Sequence, residues 1–144
     1  MKTTLRKALL LGALLLAAVS SPCFGLMEID RVTVERAKEW KMEVRALPAG
    51  PDDVRVELEF PKEGEFKDLR RVNFRMTGDD GKMLADLTLK EEPGKDGRIL
   101  VSFATNRANL AKIAFWVVVG DGGDLPGVAY EVLPKDFVDL AKLK

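Results

Sequence analysis

The stretch from Ala114 to Gly120 reads Ala-Phe-Trp-Val-Val-Val-Gly, and it decides the fold. All its residues before the glycine are apolar, and most of them are aromatic or β-branched, which gives the stretch a high strand propensity. A strand without a charged residue is suited to burial on both faces of a sheet. We therefore expect residues 114–120 to form the central strand of a β-sheet.

The clearest turn signal lies upstream, where Asp80-Gly81 separates two alternating segments. Asp-Gly is a favoured two-residue hairpin turn, because both positions tolerate a positive φ. A turn at this point places apolar residues opposite one another on one face and polar residues on the other, so the turn and the pattern predict the same register. The predicted pairs are Val72 with Leu89, Asn73 with Thr88, Phe74 with Leu87, Arg75 with Asp86 and Met76 with Ala85.

The rest of the chain after residue 26 also alternates with a period of two. This pattern predicts further strands around residues 31–35, 40–46, 54–60, 98–104 and 128–133, and it places the central strand at residues 110–119. Residues 105–109 are expected to form a short loop. Beyond Pro134, Asp136 could cap a short helix that carries Phe137 and Leu140 on one face, and an extended tail is the alternative.

Charge predicts how the strands at 40–46 and 54–60 pair in a hairpin. One register gives three pairs of opposite charge, and a slide by two residues sets like charges together, which is unfavourable by ~0.2–1 kcal/mol per pair. We therefore predict the first register, which pairs Arg45 with Asp53, Glu43 with Arg55 and Lys41 with Glu57.

Seven or eight short strands separated by turns predict an all-β fold, an antiparallel two-layer β-sandwich. In strand count and spacing the chain resembles the immunoglobulin and fibronectin type III architecture, although it lacks a cysteine pair and Trp116 lies in a late strand. Residues 26–144 are expected to form this single domain. Removing 25 of the 144 residues leaves 119, enough for a core that needs no disulfide.

Residues 1–25 have the layout of a secretory signal peptide. Lys2, Arg6 and Lys7 precede an apolar run over residues 8–19, and small residues follow up to Gly25, where we place the cleavage. The apolar run is short for a membrane span, which needs ~20 residues. The mature chain is therefore expected to be periplasmic or secreted.

Cys23 supports an alternative, a lipid-anchored surface protein. A lipoprotein signal requires a small residue directly before the cysteine and an aliphatic residue three positions before it. Pro22 and Ser20 occupy these positions, so the sequence departs from the pattern at both. A membrane would be a partner only if Cys23 carried a lipid.

Charge and composition exclude several function classes. The 23 basic residues include three in the leader, which leaves 20 against 23 acidic residues and a net charge near −3. Such a surface does not favour nucleic acid. The chain has no histidine and its single cysteine is in the leader, so zinc sites and Ser-His or Cys-His nucleophiles are excluded.

The remaining candidate sites all have a structural explanation, and we predict no catalytic residue, no metal ligand, no cofactor-binding residue and no cofactor. Ser102 lies in mid-strand without a nucleophile-elbow motif, and Gly120-Asp-Gly-Gly-Asp124 is predicted to be a hairpin loop rather than a nucleotide or calcium site. Glu57 and Glu59 are expected on a solvated sheet face, and Met42 and Met76 in the core.

Trp40, Trp116 and Tyr130 are expected to be core residues, but any of them exposed on a sheet face would suit a partner or a sugar ring. The leading prediction is an exported, non-catalytic domain that binds a protein partner in the bacterial envelope, through a sheet edge or the loops at 47–53 and 120–127. A module for a small ligand or carbohydrate is the first alternative. A carboxylate-dependent hydrolase is another, and it requires converging Asp or Glu residues in a cleft.

Overall fold

The computed structural model of the protein describes residues 27–120, 123, 126–139 and 142–143. The predicted signal peptide, Cys23 and Leu140 lie outside these residues. The described part contains one α-helix, α1, and nine strands. Their bounds are β1 Glu28–Arg31, α1 Val34–Glu39, β2 Glu43–Pro48, β3 Asp53–Phe60, β4 Leu69–Thr77, β5 Met83–Leu89, β6 Glu92–Pro93, β7 Ile99–Asn106, β8 Ile113–Gly120 and β9 Pro126–Val132.

The strands form two sheets that enclose one core. The five-stranded sheet has the order β1-β9-β8-β4-β5, and the four-stranded sheet has the order β2-β3-β7-β6. Neighbouring strands are antiparallel except β1 and β9, which are parallel. Apart from β1, this is the strand order of an immunoglobulin-type sandwich. The predicted all-β two-layer sandwich is confirmed, with nine strands in the described residues instead of seven or eight.

Strand β8 is the centre of the five-stranded sheet, as the apolar stretch predicts. Phe115 and Val117 are fully buried on its inner face, and Val118 on the outer face is also buried. The two sheets meet through aromatic rings, because Phe74 of β4 stacks on Phe103 of β7 with 3.8 Å between the ring centroids. Burial on both faces is the reason that this strand lies between neighbours and not at an edge.

The β4–β5 hairpin has the predicted register in all five pairs. Its turn differs from the predicted two-residue form, because the N–H of Gly78 donates to the carbonyl of Lys82 at 2.8 Å and encloses three residues. Gly81 takes a φ of +76°, the conformation that makes glycine favourable in this turn. Leu84 has no opposite residue on β4, so it forms a β-bulge at the end of β5.

The N-terminal prediction was wrong. Residues 31–35 do not form a strand, because β1 ends at Arg31 and α1 begins at Val34. Thr33 caps the helix by accepting a hydrogen bond from the N–H of Arg36 at 3.3 Å. The strand predicted from residue 40 begins only at Glu43, since Lys41 takes a positive φ of 54° after the helix.

The predicted register of β2 and β3 was also wrong. Arg45 lies opposite Glu57, and Glu43 lies opposite Glu59. The prediction counted only charges directly opposite one another, but the guanidinium of Arg45 is within 3.1 Å of carboxylate oxygens of three glutamates, Glu43, Glu57 and Glu59. A cation shared in this way offsets the repulsion between like-charged cross-strand neighbours.

Two further boundaries differ from the prediction. Residues 107–112 form a 3₁₀ turn that buries Leu110, so β7 extends to Asn106 and β8 starts at Ile113. Asp136 does not cap a helix; it belongs to the 3₁₀ turn Pro134–Asp136 and lies 2.7 Å from Arg31. No helix in the described residues is long and apolar enough to cross a membrane.

Candidate binding surface

The four sheet edges differ in their protection against pairing with another chain. Strand β1 has four residues, three of them charged, and β6 has two residues, one of them a proline. Strand β2 carries two charged residues and ends at Pro48. Strand β5 has seven residues, and Asp86 is its only charge. Charges, proline and shortness protect edges from strand addition, so β5 is the least protected of the four.

Strand β5 also carries most of the exposed large apolar side chains of the described residues. These side chains, with their exposed fractions, are Leu84 (61 %), Ile29 (52 %), Leu87 (48 %), Met83 (44 %) and Leu47 (42 %). Three of the five belong to β5, within five consecutive residues. We call Met83, Leu84 and Leu87 the β5 edge.

The exposure of the β5 edge follows from the fold. Leu87 lies opposite Phe74, on the side that faces the other sheet. That sheet ends in the two-residue β6, which is too short to cover a seven-residue strand. At the start of β5, Leu84 forms the β-bulge, so its side chain does not follow the regular in-and-out alternation of the strand. In the described part of the chain, apolar surface therefore remains accessible beside backbone N–H and C=O groups of β5 that pair with no further strand.

Trp116 lies on the outer face of the five-stranded sheet, contrary to the expectation of a core residue. Its chain neighbours Phe115 and Val117 are fully buried, so the alternation along β8 directs the indole away from the core. The indole N–H donates to Glu131 Oε1 at 3.1 Å, and the guanidinium carbon of Arg75 lies 3.6 Å from the ring centroid. These contacts fix the indole in a half-buried position.

Arg75 is itself held in place. Its Nε lies 3.2 Å from Oδ2 of Asp86, the residue directly across on β5. The side chain is 19 % exposed. Within the described residues its Nε donates no hydrogen bond, so Asp86 holds the guanidinium through the ion pair alone. Stacking and one ion pair thus orient the guanidinium.

A cavity of about 210 Å³ opens on the outer face next to Trp116. Its charged and polar lining residues are Arg75, Thr77, Lys112, Glu131 and Lys135, and its apolar lining includes Met83, Ala114, Trp116 and Leu133. Met83 therefore belongs both to this cavity and to the β5 edge, which makes the two features neighbours on one sheet.

Of the other two aromatic candidates, Tyr130 is buried in the core, as expected, and Trp40 is partly buried and packs against it. Trp40 packs against Tyr130 with 4.9 Å between the ring centroids and against Phe66 at 5.7 Å. The hydroxyl of Tyr130 donates to Glu65 Oε2 at 2.9 Å. Burial, assisted by the hydrogen bond to this carboxylate, raises the pKa of Tyr130 to about 12.

The expectation that Glu57 and Glu59 lie on a solvated face was wrong. Glu59 is 5 % exposed, and its side chain lies between Arg45, at 2.7 Å, and Arg98, at 3.1 Å. The hydrogen bond from Arg45 lowers the pKa of Glu59, and the positive charge of Arg98 acts in the same direction. The carboxylates of Glu43, Glu57 and Glu59 converge, but each is bound by a guanidinium, and the lowered pKa of Glu59 is the opposite of what a general acid requires.

The remaining sequence candidates are not brought together. Ser102 lies in β7 opposite Glu57, and Met42 and Met76 pack in or against the core. Within the described residues, no group of three or more Asp, Glu, His or Cys side chains could hold a metal ion. In the loop at 120–127, residues 121, 122, 124 and 125 lie outside the described part.

Sequence reasoning missed the β5 edge and the cavity. The alternation over residues 83–89 correctly indicated a strand with one apolar face, but it carried no information on which strand would lie at the end of the sheet. Comparisons with family models, with curated proteins and with solved structures find no match to this chain.

Proposed function

We propose that the chain is an exported, non-catalytic domain that binds a protein partner in the cell envelope through the β5 edge. The observation that carries this proposal is the clustering of three exposed apolar side chains on the sheet edge that has the least protection by charge, proline or shortness. Monomeric proteins rarely leave such an edge open, because it pairs with other chains.

Strand addition is the mode of binding that fits this edge. An extended segment of the partner would pair its backbone with the unpaired N–H and C=O groups of β5, which supplies affinity without sequence preference. Alternate side chains of the same segment would lie over Leu87 and close the gap that β6 leaves. Full burial of one leucine side chain contributes ~1.5–3 kcal/mol, so Leu84 and Leu87 supply the specificity for an apolar partner strand.

The test is capture from the organism's own envelope with matched variants. A tagged full chain is expressed in its source organism and crosslinked, and the captured proteins are identified by mass spectrometry. We compare the wild type with Leu87→Asp and with Ile29→Asp, which places the same charge on the opposite edge of the same sheet.

The proposal predicts one partner at near-stoichiometric yield with the wild type and with Ile29→Asp. Leu87→Asp should reduce its yield at least tenfold, because a buried carboxylate would face the apolar partner strand. Thermal melts of the three proteins show whether each is folded. A partner captured equally by all three, or captured by none, contradicts binding at this edge.

A further inference from the structure

The cavity beside Trp116 has a lining of mixed character, which limits the ligands that it can take. Met83, Ala114 and Leu133 supply apolar surface, and the hydroxyl of Thr77 and three cationic side chains supply polar groups. The volume of about 210 Å³ is below the ~300–1,000 Å³ of sites for drug-sized ligands. A single ring with one apolar face and several polar substituents matches this size and chemistry.

The indole of Trp116 is a preorganised wall of this cavity. The hydrogen bond to Glu131 and the stacked guanidinium of Arg75 hold the ring in one orientation before any ligand binds. A side chain that is already fixed loses little conformational entropy when a ligand binds. The loss of this entropy is one of the free-energy costs of binding. The guanidinium covers one face of the indole, so the C–H face of a pyranose ring would pack on the remaining part of the ring that lines the cavity.

The charges of the lining favour an anion. Arg75, Lys112 and Lys135 line the cavity against one carboxylate, Glu131. The carboxylates that pair with Arg75 and Lys112 are Asp86 and Asp79, and neither lines the cavity. Lys135 has no ion-pair partner in the described part of the chain.

Arg75 also favours a particular kind of anion, a carboxylate. A guanidinium presents planar, parallel N–H donors that match the two oxygens of a carboxylate. The contacts with Trp116 and Asp86 already orient this side chain, and Arg75 lines the cavity in that orientation.

From these observations we propose that the cavity binds a hexuronate, a sugar ring that carries one carboxylate. The carboxylate would face Arg75 and Lys135, and the ring would lie against Trp116. This site is separate from the backbone pairing proposed for β5, although Met83 touches both. Glu131 is the one lining group that opposes an anion, so its charge should limit the affinity.

The first experiment titrates the full chain with three probes, galacturonate, galactose and acetate, and follows binding by calorimetry and by tryptophan emission. Trp40→Phe leaves Trp116 as the only reporter, because the chain has two tryptophans. Galacturonate should bind saturably and change the emission of this variant. Galactose lacks the carboxylate and acetate lacks the ring, so each should bind at least tenfold more weakly.

Three outcomes would overturn the proposal. Acetate binding as well as galacturonate would reveal a simple anion site, and galactose binding equally well would remove the role of the cations. Absence of galacturonate binding would reject the site altogether. Leu87→Asp should still bind galacturonate, whether or not this variant captures the protein partner. The sugar site is therefore tested independently of the partner site on β5.

Variants then assign the binding to the cavity. Arg75→Gln should weaken galacturonate binding about tenfold, and Lys135→Gln, an exposed change that leaves the sheet intact, should weaken it several-fold. Glu131→Gln keeps an acceptor for the indole N–H and removes the opposing charge, so it should tighten galacturonate binding and leave galactose unaffected. Lys62→Gln is the matched control, since Lys62 lines a different depression together with Asp96 and Arg98. Equal effects of Lys62→Gln and Lys135→Gln would place the sugar elsewhere.

Discussion

Arg45 Nη2 lies 2.7 Å from Oε2 of Glu59, a carboxylate that is almost fully buried. The same guanidinium contacts Glu57 of β3 at 3.1 Å and Glu43 of its own strand at 2.8 Å, so one cation binds three carboxylates and joins β2 to β3 through two of them. Arg98 approaches Glu59 from its other side and also donates to backbone carbonyls of Lys41 and Glu59. A buried charge is tolerated only when it is paired and hydrogen-bonded in this way.

We expect Arg45→Met to lower the free energy of unfolding by about 1.5–3 kcal/mol, because it removes charge-assisted hydrogen bonds and leaves Glu59 with one cation. Urea denaturation measures the change. Arg55→Met is the control, since Arg55 is an exposed residue of β3 that makes no ion pair within the described residues. A loss of equal size in the two variants would mean that the cluster does not stabilise the β2–β3 pair.

The pH dependence of stability should report the same carboxylate. The pKa of Glu59 is lowered in the folded protein, chiefly by the hydrogen bond from Arg45, so the unfolded chain takes up the proton more readily. The stabilisation is therefore present above the unfolded pKa of about 4.3 and is lost as the pH falls through the lower folded pKa. The difference in unfolding free energy between the wild type and Glu59→Gln should be largest at neutral pH and should shrink below pH ~4.3. A difference independent of pH would contradict this assignment.

The sequence predicted correctly those parts of the fold in which the turn residues and the apolar alternation specify the same strand pairing. The register of β4 and β5 was correct because the apolar alternation and the glycine at the turn both specify it. The register of β2 and β3 was wrong because a long arginine side chain interacts with carboxylates beyond its direct neighbour, and a pairwise count of charges omits such contacts. Alternation over five residues also cannot distinguish a short strand from a capped helix turn, and this explains the error at Val34.

The candidate binding surface could not be predicted for a different reason. Whether Trp116 faces the core depends on which of the two alternating sets of β8 side chains points toward the other sheet. The exposure of Leu87 depends on the length of β6 in that sheet. Both are properties of the assembled sandwich. The sequence indicated only that an outward-facing tryptophan would be a binding candidate, and the fold supplied its orientation.

Thr33 should determine the stability of the short helix that replaces the predicted first strand. Its side chain accepts the Arg36 N–H at the N-cap, so Thr33→Ala should cost about 1 kcal/mol of unfolding free energy. Thr33→Ser keeps the hydroxyl and is the matched control, and no loss of capping is expected because serine is at least as favourable as threonine at an N-cap. Because Trp40 ends this helix and packs on Tyr130, its emission gives a second readout. Equal costs for alanine and serine would exclude a capping role.

Tyr130 is the only tyrosine of the chain, so its ionisation can be followed by the ultraviolet absorbance of tyrosinate without interference from another tyrosine. Burial and the hydrogen bond to Glu65 raise its pKa to about 12, from the ordinary value of 10.0. The folded protein therefore keeps the proton where the unfolded chain releases it, and this residue's contribution to stability should be lost as the pH rises from 10 to about 12.

Glu65→Gln retains an acceptor but removes the negative charge, so it should lower the titration midpoint of Tyr130. Glu63→Gln, an exposed change in the same segment, should not move it. A wild-type midpoint near that of a free tyrosine would show that the hydroxyl is solvated and that the Trp40–Tyr130–Phe66 packing is looser than the structure describes.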